Sequence, residues 1–187
     1  GTGLGLSMIQ GLAAQSGASV TGARLLVERN VEIGIAVFDV GTRMVLEDTV
    51  VRDTLSREGD GAFGRGLVAQ AGAFALANRI RVERSHELGV FVDGAGTTVT
   101  LEDAIVRDVL ARSADGALGR GIDVETGASL AGARVLVERC RQVGLLATGG
   151  GVTVTLVDAA IHDTLAQNSD GEGGRAMGVQ AGASLVG

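Results

Sequence analysis

The chain repeats itself with a fixed period of about 55 residues. The segment that begins at Gly64 and reads Gly-Arg-Gly-Leu-Val-Ala-Gln-Ala-Gly-Ala returns in similar form at Gly119 and Gly174, and a weaker copy begins at Ile9. Because no insertion separates the copies, the units are 9–63, 64–118, 119–173 and a partial unit 174–187. A fixed period of this kind is typical of a solenoid, in which each unit buries its apolar face only against its neighbours. We interpret residues 1–187 as a single repeat region and expect it to be a fragment of a longer array.

Each unit contains two shorter stretches of similar sequence. Val27-Glu-Arg aligns with Val51-Arg-Asp, and the next Val-Glu-Arg begins at Val82. A shorter step of about 24 residues therefore alternates with a longer step of about 31 residues. The two steps together make one unit. The sequence thus predicts a repeat unit of about 55 residues that contains two coils, and about seven coils in the chain.

Apolar and polar residues alternate within each coil, as they do in β-strands. Residues 90–93, 97–101 and 104–107 show this alternation, and the turns at 94–96 and 102–103 separate them. The 31 glycines and the many β-branched residues disfavour a helical solenoid. We therefore predict an all-β fold in which three short strands per coil stack into three parallel sheets.

Aligning the coils predicts which apolar side chains stack in the interior. The first predicted column is Val27, Val51, Val82, Val106, Val137 and Ile161. The second is Ile35, Leu67, Val90, Ile122, Leu145 and Met177. Such columns would form a long, thin core whose stability comes from contacts between neighbouring coils.

The coil Leu46-Glu-Asp-Thr-Val-Val-Arg-Asp53 resembles the strand–turn–strand pattern of right-handed parallel β-helices of the pectin-lyase-like superfamily. Asp48, Asp103 and Asp158 stand in the turn where that family often stacks asparagines. The Gly-Arg-Gly-Leu and Val-Glu-Arg-Asn segments also resemble repeat regions of large bacterial surface proteins. The resemblance implies a right-handed parallel β-helix solenoid that is secreted or lies at the cell surface. It implies no single activity, because the superfamily contains lyases, hydrolases, adhesins and inert stalks.

Two columns of charged residues alternate in sign from coil to coil. The first is Glu28, Arg52, Glu83, Arg107, Glu138 and His162; the second is Arg29, Asp53, Arg84, Asp108, Arg139 and Asp163. Opposite charges on neighbouring strands attract, whereas a column of one sign would repel itself. We interpret both columns as devices that set the stacking register, and expect Glu83 to pair with Arg52 or Arg107, and Arg84 with Asp53 or Asp108.

The remaining polar features predict no cofactor and no metal site. The net charge of −6 argues against nucleic acid or an anionic membrane as partner, since both need clustered cations. No apolar run is long enough for membrane insertion. His86 and His162 lack a second ligand at suitable spacing, and the single cysteine, Cys140, aligns with turn residues and excludes an internal disulfide. Asp-Gly in the loops 56–63, 111–118 and 166–173 is interpreted as turn chemistry.

The repeat departs from its own pattern on the outer face of the first strand. Asp93 and Glu125 are expected to be neighbours on adjacent coils, and Asp123 replaces an apolar residue in the next column. In pectin-lyase-like enzymes this face carries acidic catalytic residues, as the resemblance implies. Asp93, Asp123 and Glu125 are therefore the candidate catalytic residues, because neighbouring carboxylates can raise one pKa and support acid–base or calcium-assisted chemistry. The alternative is that they are solvated surface charges.

The regularity of the chain favours a non-catalytic extracellular or cell-surface module: a spacer, an adhesin shaft or a passive binding surface. The alternative is a polysaccharide lyase or hydrolase that uses the carboxylates named above. A third interpretation is a protein-binding strip, an apolar column that Arg81 interrupts: Leu26, Val50, Ile105, Leu136 and Ala160. A surface polysaccharide or a protein is the expected partner. Open sheet edges at residues 1–15 and 177–187 also predict end-to-end self-association.

Overall fold

The structure, a computed structural model, describes residues 10–187. This part of the chain is all-β, and every pairing between its strands is parallel. One sheet has seven strands: β1 (Gln10–Ala14), β4 (Ile33–Phe38), β6 (Arg65–Gln70), β8 (Leu88–Asp93), β10 (Arg120–Glu125), β12 (Val143–Thr148) and β15 (Arg175–Gln180). The other contains β2 (Ser19–Ala23), β3 (Leu26–Glu28), β5 (Arg43–Arg52), β7 (Phe74–Glu83), β9 (Thr98–Arg107), β11 (Ser129–Glu138), β13 (Thr153–Val157), β14 (Ala160–His162) and β16 (Ser184–Val186). The start of the first unit at Ile9 lies outside the described residues.

The strand pairing confirms the two-step repeat. In the larger sheet Val51 pairs with Val82 across the longer step, and Val82 pairs with Val106 across the shorter step. In the smaller sheet Leu67 pairs with Val90, and Val90 pairs with Ile122. Compared with the larger sheet, the shorter step here is one residue shorter and the longer step is one residue longer. This difference lies in the turn between the sheets, which has three residues at 71–73 and four at 94–97. Every position therefore stacks on its equivalent, two strands away, after each complete unit.

The expected third sheet is absent as a separate sheet among residues 10–187. The second and third segments of each coil form one continuous strand that bends at a single residue. Asp48, Arg79, Asp103 and Arg134 occupy this bend with φ between 49° and 53°. Such a left-handed residue turns the strand, while the ladder continues on both sides of it, as from Glu47 to Thr49. The larger sheet is consequently folded along this bend.

The predicted interior columns are confirmed over most of their length. Val51, Val82 and Val106 are fully buried. In the second column Ile35, Leu67, Val90, Ile122 and Leu145 are also fully buried. At the ends, Val27 and Ile161 are partly buried, and Met177 in the last strand of the smaller sheet is 48% exposed.

The outer face of the smaller sheet is also apolar. Ile33, Ala36, Val68, Leu88 and Phe91 form a second buried cluster on that face, separate from the interior. This differs from the expectation of a solvated outer surface. The smaller sheet is therefore buried on both sides over part of its length, and polar groups on its outer face can be desolvated.

A column of glycines lets the smaller sheet approach the end of the larger one. Gly66 faces the buried side chain of Ser85, and a Cβ at Gly66 would lie 2.6 Å from the backbone oxygen of Gly89 and 2.8 Å from Ser85 Oγ. Gly121 packs in the same way against Cys140, which lies in the connection between β11 and β12 and is fully buried. The second glycine of Gly-Arg-Gly is thus a packing requirement.

Gly66→Ala should therefore lower the free energy of unfolding by about 1–3 kcal/mol, since the added methyl group meets backbone atoms that cannot rotate away. Urea unfolding followed by circular dichroism measures this. Gly59→Ala is the control, because a Cβ there meets no atom within 4 Å. Equal stability of the two variants would contradict the packing argument.

The two charge columns form ion pairs, and each column bridges a different step. In the first, Arg52 contacts Glu28 at 2.6 Å and Arg107 contacts Glu83 at 2.5 Å, both across the shorter step. The expected pairing of Glu83 is thus confirmed.

The second column pairs across the longer step. Arg84 contacts Asp53 at 2.6 Å and Arg139 contacts Asp108 at 2.7 Å. This confirms the expected pairing of Arg84. The arginine hydrogen bonds are the main reason that the pKa values of Asp53 and Asp108 are lowered. Together the columns join the successive strands of the larger sheet from β3 to β11.

Reversing the charge of Arg107 tests this register device. Arg107→Glu should cost about 2–3 kcal/mol, because it places a second carboxylate beside the buried Glu83. Adding Glu83→Arg should recover only part of the loss, since Arg81 and Arg84 lie 3.5 and 3.6 Å from that carboxylate. Arg57→Glu in an exposed loop pair is the control and should cost less than about 1 kcal/mol. A double-mutant cycle without coupling between 83 and 107 would show that the column is coincidental.

The Asp-Gly loops have the turn chemistry expected of them. Asp60 Oδ1 accepts a hydrogen bond from the backbone of Ala62 at 3.1 Å, and Asp115 Oδ1 accepts one from Ala117 at 3.0 Å. Successive loops also bond to each other, because Ala114 N donates to Gly61 O at 3.0 Å. The loops therefore extend the stacking outside the core.

Candidate functional site

The three candidate carboxylates lie at the ends of two neighbouring strands of the smaller sheet. Asp93 ends β8 and Glu125 ends β10, and the two residues are register partners, as expected. Asp123 lies two residues before Glu125 and pairs with Phe91. The fold thus brings all three residues together on one face, although their side chains have different surroundings.

Asp123 is buried, contrary to its interpretation as a solvated surface charge. Its residue is 1% exposed, and it stands in the outer apolar column between Phe91 and Leu146. Arg120 Nη1 donates a hydrogen bond to Asp123 Oδ2 at 2.7 Å. The other carboxylate oxygen, Oδ1, is buried and has no hydrogen-bond partner among the described residues. Among residues 10–187 it is the only buried carboxylate oxygen without a hydrogen-bond partner.

Comparison between units explains why a carboxylate stands at position 123. One unit earlier, Arg65 donates to the buried Glu87 at 2.9 and 2.5 Å. The residue equivalent to Glu87 in the next unit is Gln142, whose neutral Oε1 accepts from Arg120 at 2.5 Å. Arg120 has therefore lost its charged partner on the following coil, and Asp123 supplies that charge from within its own strand.

The same unit has lost a second charge close by. Glu32 contacts Arg57 at 3.4 Å and Glu87 lies 3.9 Å from Arg112. In the third unit both partners are amides: Gln142 Nε2 donates to Gln167 Oε1 at 2.8 Å. The third unit thus has two glutamines at the positions where the second unit has the carboxylate of Glu87 and the guanidinium of Arg112.

The electrostatics leave two carboxyl groups that bind protons more tightly than usual. Burial raises the pKa of Asp123, and the positive charge of Arg120 opposes this. The pKa of Glu125 is raised by burial first and by the charge of Asp123 second. Arg120 Nη1 lies 3.9 Å from Glu125, and Asp93 accepts a hydrogen bond from Gln70 at 3.0 Å. A carboxyl group with a raised pKa keeps its proton to a higher pH than a solvated one does, which is the property of a general acid.

The other polar candidates are not brought together. His86 Nδ1 lies 3.3 Å from Ser113 Oγ, and His162 Nδ1 lies 2.9 Å from Asp163. Within residues 10–187 no group of three or more His, Cys, Asp or Glu side chains is arranged to hold a metal ion. That same stretch has no helix long and apolar enough to cross a membrane.

Sequence reasoning missed Arg120 and Gln142, although the change from Glu87 to Gln142 is visible on aligning the units.

Comparison with known proteins adds no family to these observations. The chain matches no protein-family profile, no curated protein and no solved structure.

The compensating role of Asp123 can be tested by restoring the pattern of the preceding unit. Asp123→Val should destabilise the chain by about 1–3 kcal/mol, because Arg120 would then hydrogen-bond only the neutral amide of Gln142, with the carboxylate of Glu125 no closer than 3.9 Å. Gln142→Glu in that background should recover most of the loss, because it recreates the arrangement of the second unit. There Glu87 accepts a hydrogen bond from Arg65, and Val68 occupies the position equivalent to residue 123. Urea unfolding of the four proteins of the cycle measures the coupling. Asp93→Asn combined with Gln142→Glu is the control, and the effects of these two changes on the free energy of unfolding should be additive. If the effects of Asp123→Val and Gln142→Glu are also additive, Asp123 does not compensate for the missing carboxylate at position 142.

Proposed function

We propose that this chain is a segment of a right-handed parallel β-helix of about seven coils, related to the pectin-lyase-like superfamily. Two observations support this architecture. The chain runs alternately through two parallel sheets, and the pairing offsets within each sheet recur after each repeat unit. Its role is that of a non-catalytic module outside the cell or at the cell surface. It acts as a spacer, an adhesin shaft or a passive binding surface.

One observation carries this proposal: the charged side chains that stand in columns are engaged in joining the coils. The first charge column pairs across one step and the second across the other, as with Glu83–Arg107 and Arg84–Asp53. Even the main departure from the repeat, Asp123, has a local partner in Arg120. A surface whose charges are paired along its length suits a stiff shaft.

The surface role predicts where the chain is found. Antibodies raised against residues 10–187 should label intact cells of the organism that makes the protein, or its culture medium. An antibody against a cytoplasmic enzyme is the control and should label permeabilised cells only. Labelling confined to permeabilised cells would contradict the proposal.

A polysaccharide lyase or hydrolase is the second candidate, and the raised pKa values of Asp123 and Glu125 favour it. Under the shaft proposal, the chain should release neither unsaturated nor reducing ends from acidic polysaccharides, with or without millimolar calcium. Turnover that is lost in Asp93→Asn and Glu125→Gln, and retained in the control Glu102→Gln, would establish the enzyme instead. Calorimetric titration with calcium on the same variants separates ion binding from catalysis.

A further inference from the structure

The three long loops of the chain carry a reactive dipeptide at the same place. It is Asp-Gly, at Asp60-Gly61, Asp115-Gly116 and Asp170-Gly171. The three glycines have closely similar backbone conformations, with φ between 66° and 76°. In Asp-Gly the glycine nitrogen can attack the carboxyl carbon of the aspartate, because glycine has no side chain to obstruct the approach. The loops therefore place the same reactive sequence in three comparable settings.

The reaction needs no cofactor and no oxidant. The glycine nitrogen forms a bond to Cγ of the aspartate and gives up its proton, while one carboxyl oxygen leaves as water, so that a five-membered succinimide ring results. Water then opens the ring at one of its two carbonyl groups. One opening restores aspartate, and the other gives isoaspartate, in which the main chain runs through Cβ and Cγ. The leaving oxygen must be protonated, so a carboxylate that is held ionised reacts slowly.

In the first two loops an arginine holds the aspartate ionised. Arg57 donates hydrogen bonds from Nε and Nη2 to the two oxygens of Asp60. Arg112 does the same to Asp115, at 3.2 and 2.5 Å. These hydrogen bonds are the main reason that the pKa of Asp115 is lowered and that the pKa of Asp60 is lowered to about 2. The guanidinium group thus opposes protonation of the leaving oxygen.

The third loop lacks this arginine. Gln167 stands in its place, and its Nε2 lies 2.8 and 2.7 Å from the two oxygens of Asp170. The pKa of Asp170 is also lowered, but chiefly by the backbone N–H of Glu172 rather than by a positive charge. A neutral amide stabilises an ionised carboxylate less than a guanidinium group does. Asp170 is also exposed, so water has access to the reacting group.

The attacking nitrogen is held less closely in the third loop as well. In the first two loops the glycine N–H donates to the carbonyl oxygen of the arginine, at 2.8 and 2.9 Å. In the third, Gly171 N lies 3.2 Å from Gln167 O. A longer hydrogen bond is weaker, and it restrains the nitrogen less as it turns towards the carboxyl carbon.

The missing arginine is linked to the glutamine at position 142. Gln142 Nε2 donates to Gln167 Oε1 at 2.8 Å, where the second unit has the ion pair of Glu87 and Arg112. The two glutamines therefore have two effects in the third unit. They leave Arg120 without a carboxylate partner on the following coil, and they leave Asp170 without an arginine.

We propose that Asp170-Gly171 is a site of spontaneous isoaspartate formation in the folded protein, and that Arg57 and Arg112 suppress the same reaction in the other two loops. The product has one more methylene group in its main chain and carries its free carboxylate on Cα. The hydrogen bond from Glu172 N to the side chain of Asp170 is consequently lost. The inference rests on residues within the loops and is independent of the shaft role proposed above.

Incubation of the folded chain in mildly acidic buffer, followed by trypsin digestion and mass spectrometry, measures the three sites separately. Cleavage after arginine places them in the peptides 58–65, 113–120 and 142–175. Isoaspartate leaves the peptide mass unchanged but alters its retention, and electron-transfer fragmentation locates it; deamidation of Asn168 changes the mass and is thereby distinguished. Isoaspartate should accumulate at position 170 at least ~fivefold faster than at 60 or 115, because hydrogen bonds from a charged donor are roughly twice as strong as those from a neutral one.

Exchanging the two residue types tests the role of the arginine. Gln167→Arg should slow the reaction at Asp170 to the rate of the other loops. Arg112→Gln should raise the rate at Asp115, in the middle loop, towards that of Asp170. Asp60 is the control within each variant, and its rate should not change. Circular dichroism confirms that each variant is folded.

The same measurement in concentrated urea separates the effect of the fold from that of the local sequence. The arginine contacts are absent from the unfolded chain, so the three sites should then react at similar rates. A difference that persists in urea would overturn the proposal. Equal rates at the three sites of the folded chain, or an unchanged rate at Asp115 in Arg112→Gln, would overturn it too.

Discussion

The structure depends on the in-register stacking of parallel strands, in which each residue lies directly above its equivalent in the preceding coil. For apolar residues this is favourable without further conditions, since valine on valine excludes water along the whole axis. For charged residues it creates a difficulty, because a position repeated in every coil would stack like charges about 4.8 Å apart. The arrangement of charges in this chain is best understood as the solution to that difficulty.

Alternation of sign requires a repeat of two strands in each sheet, and the pairing offsets of the larger sheet alternate with the same period. Even so, one column cannot bind both neighbours equally: Arg107 lies 2.5 Å from Glu83 but 3.9 Å from Glu138. The second column, displaced by one residue, makes its short contacts across the other step, as in Arg139–Asp108 at 2.7 Å. Two columns out of phase therefore connect the strands of the larger sheet from β3 to β11. Each exposed pair contributes little alone, but a shift of one coil would oppose like charges at every level.

The sequence predicts this part of the fold well because periodicity reports directly on stacking. The buried column from Val51 to Val137, the pairing offsets and the partners of Glu83 and Arg84 follow from alignment of the coils. The turn at Asp48 and Asp103 was also predicted from the sequence, but the continuation of the strand ladder through it was not. Arg79 and Arg134 adopt a left-handed conformation that arginine does not favour, and each pairs with an aspartate, Asp48 or Asp103, in the same conformation. Whether the bent strand counts as one sheet or two depends on that conformation and not on composition. The burial of Asp123 was also missed, although the neighbouring strand β8 is apolar on both faces, a pattern typical of strands that are buried on both sides.

Asp123 shows what a departure from a repeat means physically. A residue that differs from its equivalents in other units invites a functional interpretation, because duplicated positions otherwise stay alike. Here the departure has a counterpart: position 142 has lost a carboxylate, and Arg120, which would have bound it, is held by Asp123 at 2.7 Å. Two linked departures from the repeat that keep a charged partner for Arg120 indicate a structural role. A single departure without a counterpart would instead indicate a catalytic or binding role. Oδ1 of Asp123, buried without a partner, is the remaining atom on this face that the pairing does not account for. Any ligand of the face would have to satisfy that oxygen, and this makes Asp123, rather than the more exposed Asp93 or Glu125, the group on which a hidden activity would depend.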